Sequence, residues 1–127
     1  MILDIGNLER IENPTAEQII HYLRHLASDS FLILDADAQL FIQATLARGG
    51  RYRVEWRQED VQRFAIVPLE QAEALLLAFA RWDEAGLEAV KWRRLGLLND
   101  PYRRSILLGS LFLLAVLFLQ MARWWLH

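Results

Sequence analysis

The chain has 127 residues, of which 54% are hydrophobic, with a formal net charge of −2 and no cysteine. That length suits one small domain, and the lack of cysteine agrees with a reducing compartment and excludes a nucleophilic thiolate. Residues 1–90 hold fifteen acids and eight arginines, whereas residues 91–127 hold six bases and one acid. The acidic balance of residues 1–90 argues against a nucleic-acid-binding protein, which needs basic residues on the domain itself.

A helix is predicted from about residue 15 to about residue 27, after a short leading strand within residues 2–11. Pro14 lies near its first turn, and Thr15 stands three residues before Gln18, which is the spacing of a capping box. The apolar side chains then recur at helical spacing on one face: Ile19, Ile20, Leu23 and Leu26.

Four runs with strand character follow, separated by turn residues: 31–34, 40–45, 51–57 and 62–67. The third alternates, with Tyr52, Val54 and Trp56 predicted on the buried face. In the fourth, Phe64 and Ile66 are predicted to point inward. Four strands joined by tight turns predict a half-buried antiparallel meander with one face available for helices.

A second helix is predicted from Pro68 to about residue 82, and residues 87–92 fit either a last strand or a short helix. The predicted fold class is therefore α+β: a helix, a four-stranded antiparallel meander and a helix, followed by a single C-terminal transmembrane helix. The expected core is Leu23, Leu26, Ile33, Phe41, Val54, Trp56, Phe64, Leu76 and Phe79.

The transmembrane prediction rests on residues 105–122, eighteen residues without a charge. A helix of that length spans about 27 Å, close to a hydrocarbon core of about 30 Å. Trp124 and Trp125 suit the membrane interface, and Arg103, Arg104 and Arg123 suit headgroup phosphates of membrane lipid. The alternative is an apolar helix buried in a homo-oligomer or against a partner.

Three segments are expected: a soluble domain in residues 1–98, a basic hinge in 99–104 and a transmembrane helix in 105–125. Residues 91–104 carry five basic side chains and one acidic side chain, which predicts a cytoplasmic N-terminal domain by the positive-inside rule. The first residues have no basic region or long apolar core, so no signal peptide is expected.

Two polar clusters in the predicted domain contain side chains of the types that bind metals or transfer protons. Glu17, His21 and His25 line one side of the first helix, where they form either a metal site or a solvated polar face; the second is favoured. Asp35 and Asp37 flank a turn, where carboxylates usually cap backbone N–H groups. No metal and no cofactor is predicted.

Four arginines give the only candidate for partner binding. Arg51, Arg53 and Arg57, with Arg63 on the next strand, would form a guanidinium stripe on the outer sheet face that binds an acidic partner. The alternative, which is favoured, is pairing with the acids of these strands and their turn, Glu55, Glu59 and Asp60. The sequence has no phosphate-binding loop and no Ser–His–Asp arrangement, so we expect neither an enzyme nor a small-molecule substrate.

The order of these elements, from Asn13-Pro14 through residues 52–56 to Phe79 and Trp92, resembles small bacterial immunity-like proteins associated with polymorphic toxins. The resemblance covers residues 10–95 and carries no catalytic residue. It implies a non-enzymatic partner-binding protein, here tethered by a C-terminal anchor to a bacterial inner membrane. The alternative is a small accessory subunit of a larger membrane protein complex, in which Phe112, Phe118, Trp124 and Trp125 pack on neighbouring helices.

Overall fold

The computed structural model describes residues 1–6 and 8–95, and residues Met1–Arg94 form one compact unit. The described chain contains seven strands, three α-helices and a short 3₁₀ turn at Arg48–Gly50. In chain order the elements are β1 (Ile2–Ile5), β2 (Glu9–Glu12), α1 (Ala16–Arg24), β3 (Leu32–Asp37), β4 (Leu40–Leu46), β5 (Tyr52–Gln58), β6 (Val61–Val67), α2 (Leu69–Ala80), α3 (Glu84–Leu87) and β7 (Arg93–Arg94).

The predicted fold class is wrong, because the described residues form one seven-stranded antiparallel sheet rather than a four-stranded meander that follows a helix. The strand order is β2-β1-β3-β4-β5-β6-β7. The single leading strand predicted within residues 2–11 is in fact a hairpin. Gly6 adopts a positive φ of 56°, a conformation that L side chains rarely adopt, and the chain turns back there. β1 then pairs with β2 on one side and with β3 on the other.

Among the described residues no helix is both long enough and apolar enough to cross a membrane. The predicted hinge in residues 99–104 and the predicted transmembrane helix in residues 105–125 lie outside the described residues.

Helix α1 begins at the predicted capping box. The backbone N–H of Gln18 donates to the Thr15 hydroxyl at 3.2 Å, and the backbone N–H of Thr15 donates to the Gln18 side chain at 2.9 Å. The apolar side of α1 enters the core through Ile19 and Leu23. Two polar contacts tie α1 to its neighbours: Tyr22 donates to Glu9 of β2, and Arg24 pairs with Glu73 of α2 at 2.6 Å.

Helices α1 and α2 cover one face of the sheet, which we call the helix-bearing face. Its strand residues are buried with the apolar residues of both helices in one cluster. The phenol of Tyr52 donates to the carbonyl oxygen of Leu23 at 3.2 Å and so links β5 to α1. No described helix covers the opposite face, which we call the open face. Its strand residues are half-buried or exposed, among them Ile33, Phe41, Arg53, Phe64 and Ile66.

The prediction of the core is wrong for three residues, because they lie on the face of the sheet that no described helix covers. Ile33, Phe41 and Phe64 lie on the open face, whereas their neighbours on the same strands, such as Leu34, Ile42 and Ala65, are buried under the helices. Ile66, also predicted to point inward, is 49% exposed. The other six predicted core residues are buried as expected: Leu23, Leu26, Val54, Trp56, Leu76 and Phe79.

Candidate functional site at the edge of strand β6

Strand β6 has a neighbour along its whole length on one side only. β5 pairs with it from Val61 to Val67. On the other side β7 supplies two residues, with Arg94 opposite Arg63 and Arg93 opposite Phe64. Within the described part of the chain, no strand pairs with residues 65–67 on that side. Among the described residues, part of the backbone edge of β6 therefore has no strand paired with it.

The segment that approaches this edge is held in place by α3 and by Trp92. Asp83 caps α3 by accepting from the backbone N–H of Gly86 at 3.1 Å. Gly86 packs so closely on α2 that an added Cβ would lie 2.9 Å from the Cβ of Ala78. The indole N–H of Trp92 donates to the carbonyl oxygen of Leu87 at 2.6 Å. These contacts fix the course of the chain from α3 to β7.

A cleft of about 650 Å³ lies between this segment and the edge of β6. We call it the β6 cleft. Its walls combine apolar side chains from β6 and from the segment after α3 with three basic side chains. The lining residues are Arg51, Phe64, Ala65, Ile66, Val67, Gln71, Ala89, Val90, Lys91 and Arg93.

The charge of the β6 cleft is positive. Arg51, Lys91 and Arg93 are all exposed, and none of the described residues that line the cleft is acidic. Among the described residues, none of these three cations forms an ion pair. Because their charges are not neutralised locally, the cleft favours a ligand that carries negative charge.

The structure brings only part of the predicted arginine stripe together on the open face. Arg53 and Arg57 do lie on the open face, where Arg53 pairs with Glu55 at 3.1 Å and its guanidinium stands 4.4 Å from the centre of the Phe64 ring. Arg57 donates to the carbonyl oxygen of Glu59 and to the Gln39 side chain, each at 3.0 Å. Of the four arginines, only Arg51 lines the β6 cleft.

Arg63 lies on the helix-bearing face instead, because it is opposite Trp56 in the β5–β6 register. It pairs with Glu88 at 3.2 Å, and its guanidinium stands 5.2 Å from the centre of the Trp56 ring. This side chain is therefore separated by the sheet from Arg53 and Arg57.

In the other two predicted polar clusters, His21, His25 and Asp37 make local contacts, whereas one carboxylate oxygen of Asp35 is buried and has no hydrogen-bond partner among the described residues. The rings of His21 and His25 stack with centroids 4.4 Å apart, and Nδ1 of His25 lies 2.8 Å from the carbonyl oxygen of His21. Asp37 accepts from the backbone N–H of Gln39 at 2.7 Å, as expected of a carboxylate at a turn. No group of three His, Cys, Asp or Glu among the described residues is placed to hold a metal ion.

Lys91 and Arg93 line the β6 cleft but were not predicted as site residues. The sequence analysis counts them only among the basic residues that precede the apolar run. The predicted membrane-interface residues Arg103, Arg104, Arg123, Trp124 and Trp125 lie outside the described residues.

No protein-family model, no curated protein and no solved structure matches the chain. The resemblance to immunity-like proteins associated with polymorphic toxins therefore stays a prediction.

Proposed function

We propose that this chain is a non-enzymatic protein that binds a partner protein through the β6 cleft while the apolar residues 105–122 hold it at a membrane. The observation that carries the proposal is the composition of the cleft. Three cations without ion pairs among the described residues surround apolar side chains at a strand edge, and Ile66 is 49% exposed there. Exposed apolar side chains rimmed by polar ones are typical of protein-interaction sites.

The proposal of a non-enzymatic role rests on the residue types available. The sequence has no cysteine and no phosphate-binding glycine loop. In the described residues, the exposed cations of the cleft have no neighbouring carboxylate or imidazole among the lining side chains with which to share acid–base work. A binding role needs only the charge and shape that the cleft supplies.

A second candidate is an accessory subunit of a larger membrane complex, and the open face favours it. That face carries half-buried apolar side chains on several strands, and no described helix covers it. An extended sheet face of this kind suits a neighbouring subunit as well as solvent.

Site-specific photo-crosslinking tests the first candidate. A benzophenone amino acid replaces Ile66 in the β6 cleft, and a matched control replaces Leu8, which is 93% exposed in the β1–β2 turn at the other end of the sheet. We expect one discrete protein adduct from position 66 and none from position 8. Equal adducts from both positions, or none from position 66, contradict the proposal. A third variant carries the crosslinking amino acid at Phe41, on the open face. A discrete adduct from that position alone favours the accessory subunit.

The membrane part of the proposal is tested with Leu114→Arg, in the middle of the apolar run. An arginine at the bilayer centre opposes insertion by about 2.5–3.5 kcal/mol on insertion scales. We expect this variant to shift partly into the soluble fraction after alkaline extraction, whereas Leu8→Arg stays with the membrane. Full membrane retention of Leu114→Arg contradicts membrane attachment through this segment.

A further inference from the structure

The edge of β6 differs from the other edge of the sheet. Edge strands in soluble proteins usually carry charged side chains or are covered, because their free N–H and C=O groups invite another strand. The opposite edge strand, β2, carries Glu9, Arg10 and Glu12. Residues 65–67 of β6 are Ala, Ile and Val, and the β6 cleft lies directly beside them. Among the described residues, these three positions of the edge therefore carry no charge of their own, and no strand is paired with them there.

We propose that the partner enters the β6 cleft as an extended acidic segment and pairs with residues 65–67 as an additional strand of the sheet. This inference rests on the proposed function and names the kind of partner. Strand addition supplies backbone hydrogen bonds, whereas the side-chain pockets on either side of the added strand select its sequence.

The positions of the cations indicate which side chains the added strand carries. Successive residues of a strand point to opposite faces of the sheet. Arg93 lies opposite Phe64 in the register, so it is on the open face. Arg51 has an extended backbone two residues before Arg53, so alternation places it on the same face. The residues of the added strand that point to the open face therefore meet guanidinium groups, and acidic side chains suit them.

The residues that point to the other face meet a different surface. There the cleft is lined by Ala65 and Val67 of β6 and, beyond them, by Gln71 of α2 and by Val90. Small apolar or β-branched side chains suit this surface. The expected ligand is a segment in which acidic and apolar residues alternate.

A lipid headgroup or a nucleic acid fits the same site less well. Either would use the three cations but would leave the free backbone edge and the exposed Ile66 without a partner.

The test uses the full chain in mild detergent and a displayed library of random dodecapeptides as the probe. We expect enrichment of acidic peptides with alternating apolar residues. Lys91→Glu with Arg93→Glu, and separately Ile66→Asp, should weaken binding of the selected peptide by about tenfold or more, because each places negative charge beside the acidic side chains of the peptide. The matched control Arg48→Glu reverses an exposed charge outside the cleft and should leave binding unchanged.

Two further measurements separate strand addition from other modes of binding. N-methylation of those alternate residues of the selected peptide whose N–H groups pair with β6 should abolish binding. Amide hydrogen exchange of residues 65–67 should slow when the unmodified peptide binds. No enrichment, or peptides insensitive to the cleft variants or to N-methylation, overturns the inference. If position 66 still crosslinks a partner in that case, the proposed function stands without strand addition; if it does not, both fail.

Discussion

The indole rings of Trp56 and Trp92 lie against each other with their centroids 5.6 Å apart and their planes inclined by 54°. Trp56 belongs to the middle of the sheet, and Trp92 precedes the two residues of β7. The contact therefore fastens the last described segment to the core. Since that segment contributes Lys91 and Arg93 to the β6 cleft, we expect the cleft to loosen when the contact between these rings is lost.

Trp92→Ala should destabilise the fold and loosen the cleft. Because Trp92 is half-buried, we expect a loss of about 1–3 kcal/mol, less than the roughly 3–5 kcal/mol of a buried aromatic residue. Urea unfolding measures the loss, and limited proteolysis should show faster cleavage after Lys91. The control is Trp82→Ala, since Trp82 is 61% exposed and should cost less. Equal effects of the two substitutions would remove the role assigned to Trp92.

Thr15→Ala should lower stability by about 1 kcal/mol, because it removes the side-chain acceptor that caps α1. Thermal unfolding followed by circular dichroism measures the change. Ser28→Ala serves as the control, since Ser28 is exposed and makes no hydrogen bond through its side chain within the described residues. If both variants melt at the same temperature, the capping box contributes nothing measurable.

Gly6→Ala should destabilise the β1–β2 hairpin for two reasons that a double-mutant cycle separates. The positive φ of 56° alone disfavours alanine by about 1–2 kcal/mol, and the new Cβ would also clash with the hydroxyl oxygen of Ser30. Adding Ser30→Ala should restore the stability that is lost through the clash. The stability that is lost through the unfavourable φ should not be restored. Complete recovery in the double variant would mean that φ at this position is not restrictive.

Tyr22 should ionise at a higher pH than an ordinary tyrosine. Its hydroxyl donates to Glu9 at 2.9 Å, and this hydrogen bond, together with partial desolvation and the nearby negative charge, raises the pKa of Tyr22 above 10.0. The folded state therefore holds this proton more tightly than the unfolded state does. The resulting stability is present below pH 10 and is lost as the pH rises through the folded-state pKa.

Titration of the tyrosine ring carbons by NMR checks the direction of that shift. Tyr22→Phe assigns the resonance, and Glu9→Gln should bring the pKa of Tyr22 back toward its ordinary value, because the carboxylate charge is gone. A Tyr22 pKa at or below that of tyrosine in an unfolded peptide would contradict the hydrogen bond to Glu9.

The sequence predicted α1 and the faces of β5 correctly because their signals are local. The capping box at Thr15 and Gln18 marks a helix start, and Tyr52, Val54 and Trp56 alternate with charged residues. In β3 and β4 the apolar side chains are continuous, as in Leu32–Leu34, so a period of two could not show which residues face the helices. The structure shows that it is Leu32 and Leu34.

The faces of β6 follow from the register of its hairpin with β5. Gln58 pairs with Val61 across a two-residue turn, in which Glu59 has a φ of 57°. Turn length fixes hairpin register, so placing Trp56 inward requires Arg63, Ala65 and Val67 inward as well. The large apolar side chains of Phe64 and Ile66 favour the opposite faces in the sequence pattern, whereas the hairpin register determines the faces in the structure.

The edges of the sheet could not be predicted in the same way. The pairing of β1 with β3 joins residues about thirty positions apart, and β7 is only two residues long. Neither leaves a periodic pattern in its own segment. The β6 cleft depends on both the register of β6 and the position of β7, so its composition became visible only in three dimensions.

The charged residues of β2 have a consequence for assembly. If both edges of this sheet accepted a strand, one copy could add to the next without limit, since head-to-tail contacts that do not close produce filaments. Glu9, Arg10 and Glu12 put charge along the far edge, which opposes such addition. If a partner strand does add at β6, the charges of β2 therefore disfavour a head-to-tail chain of copies of this protein.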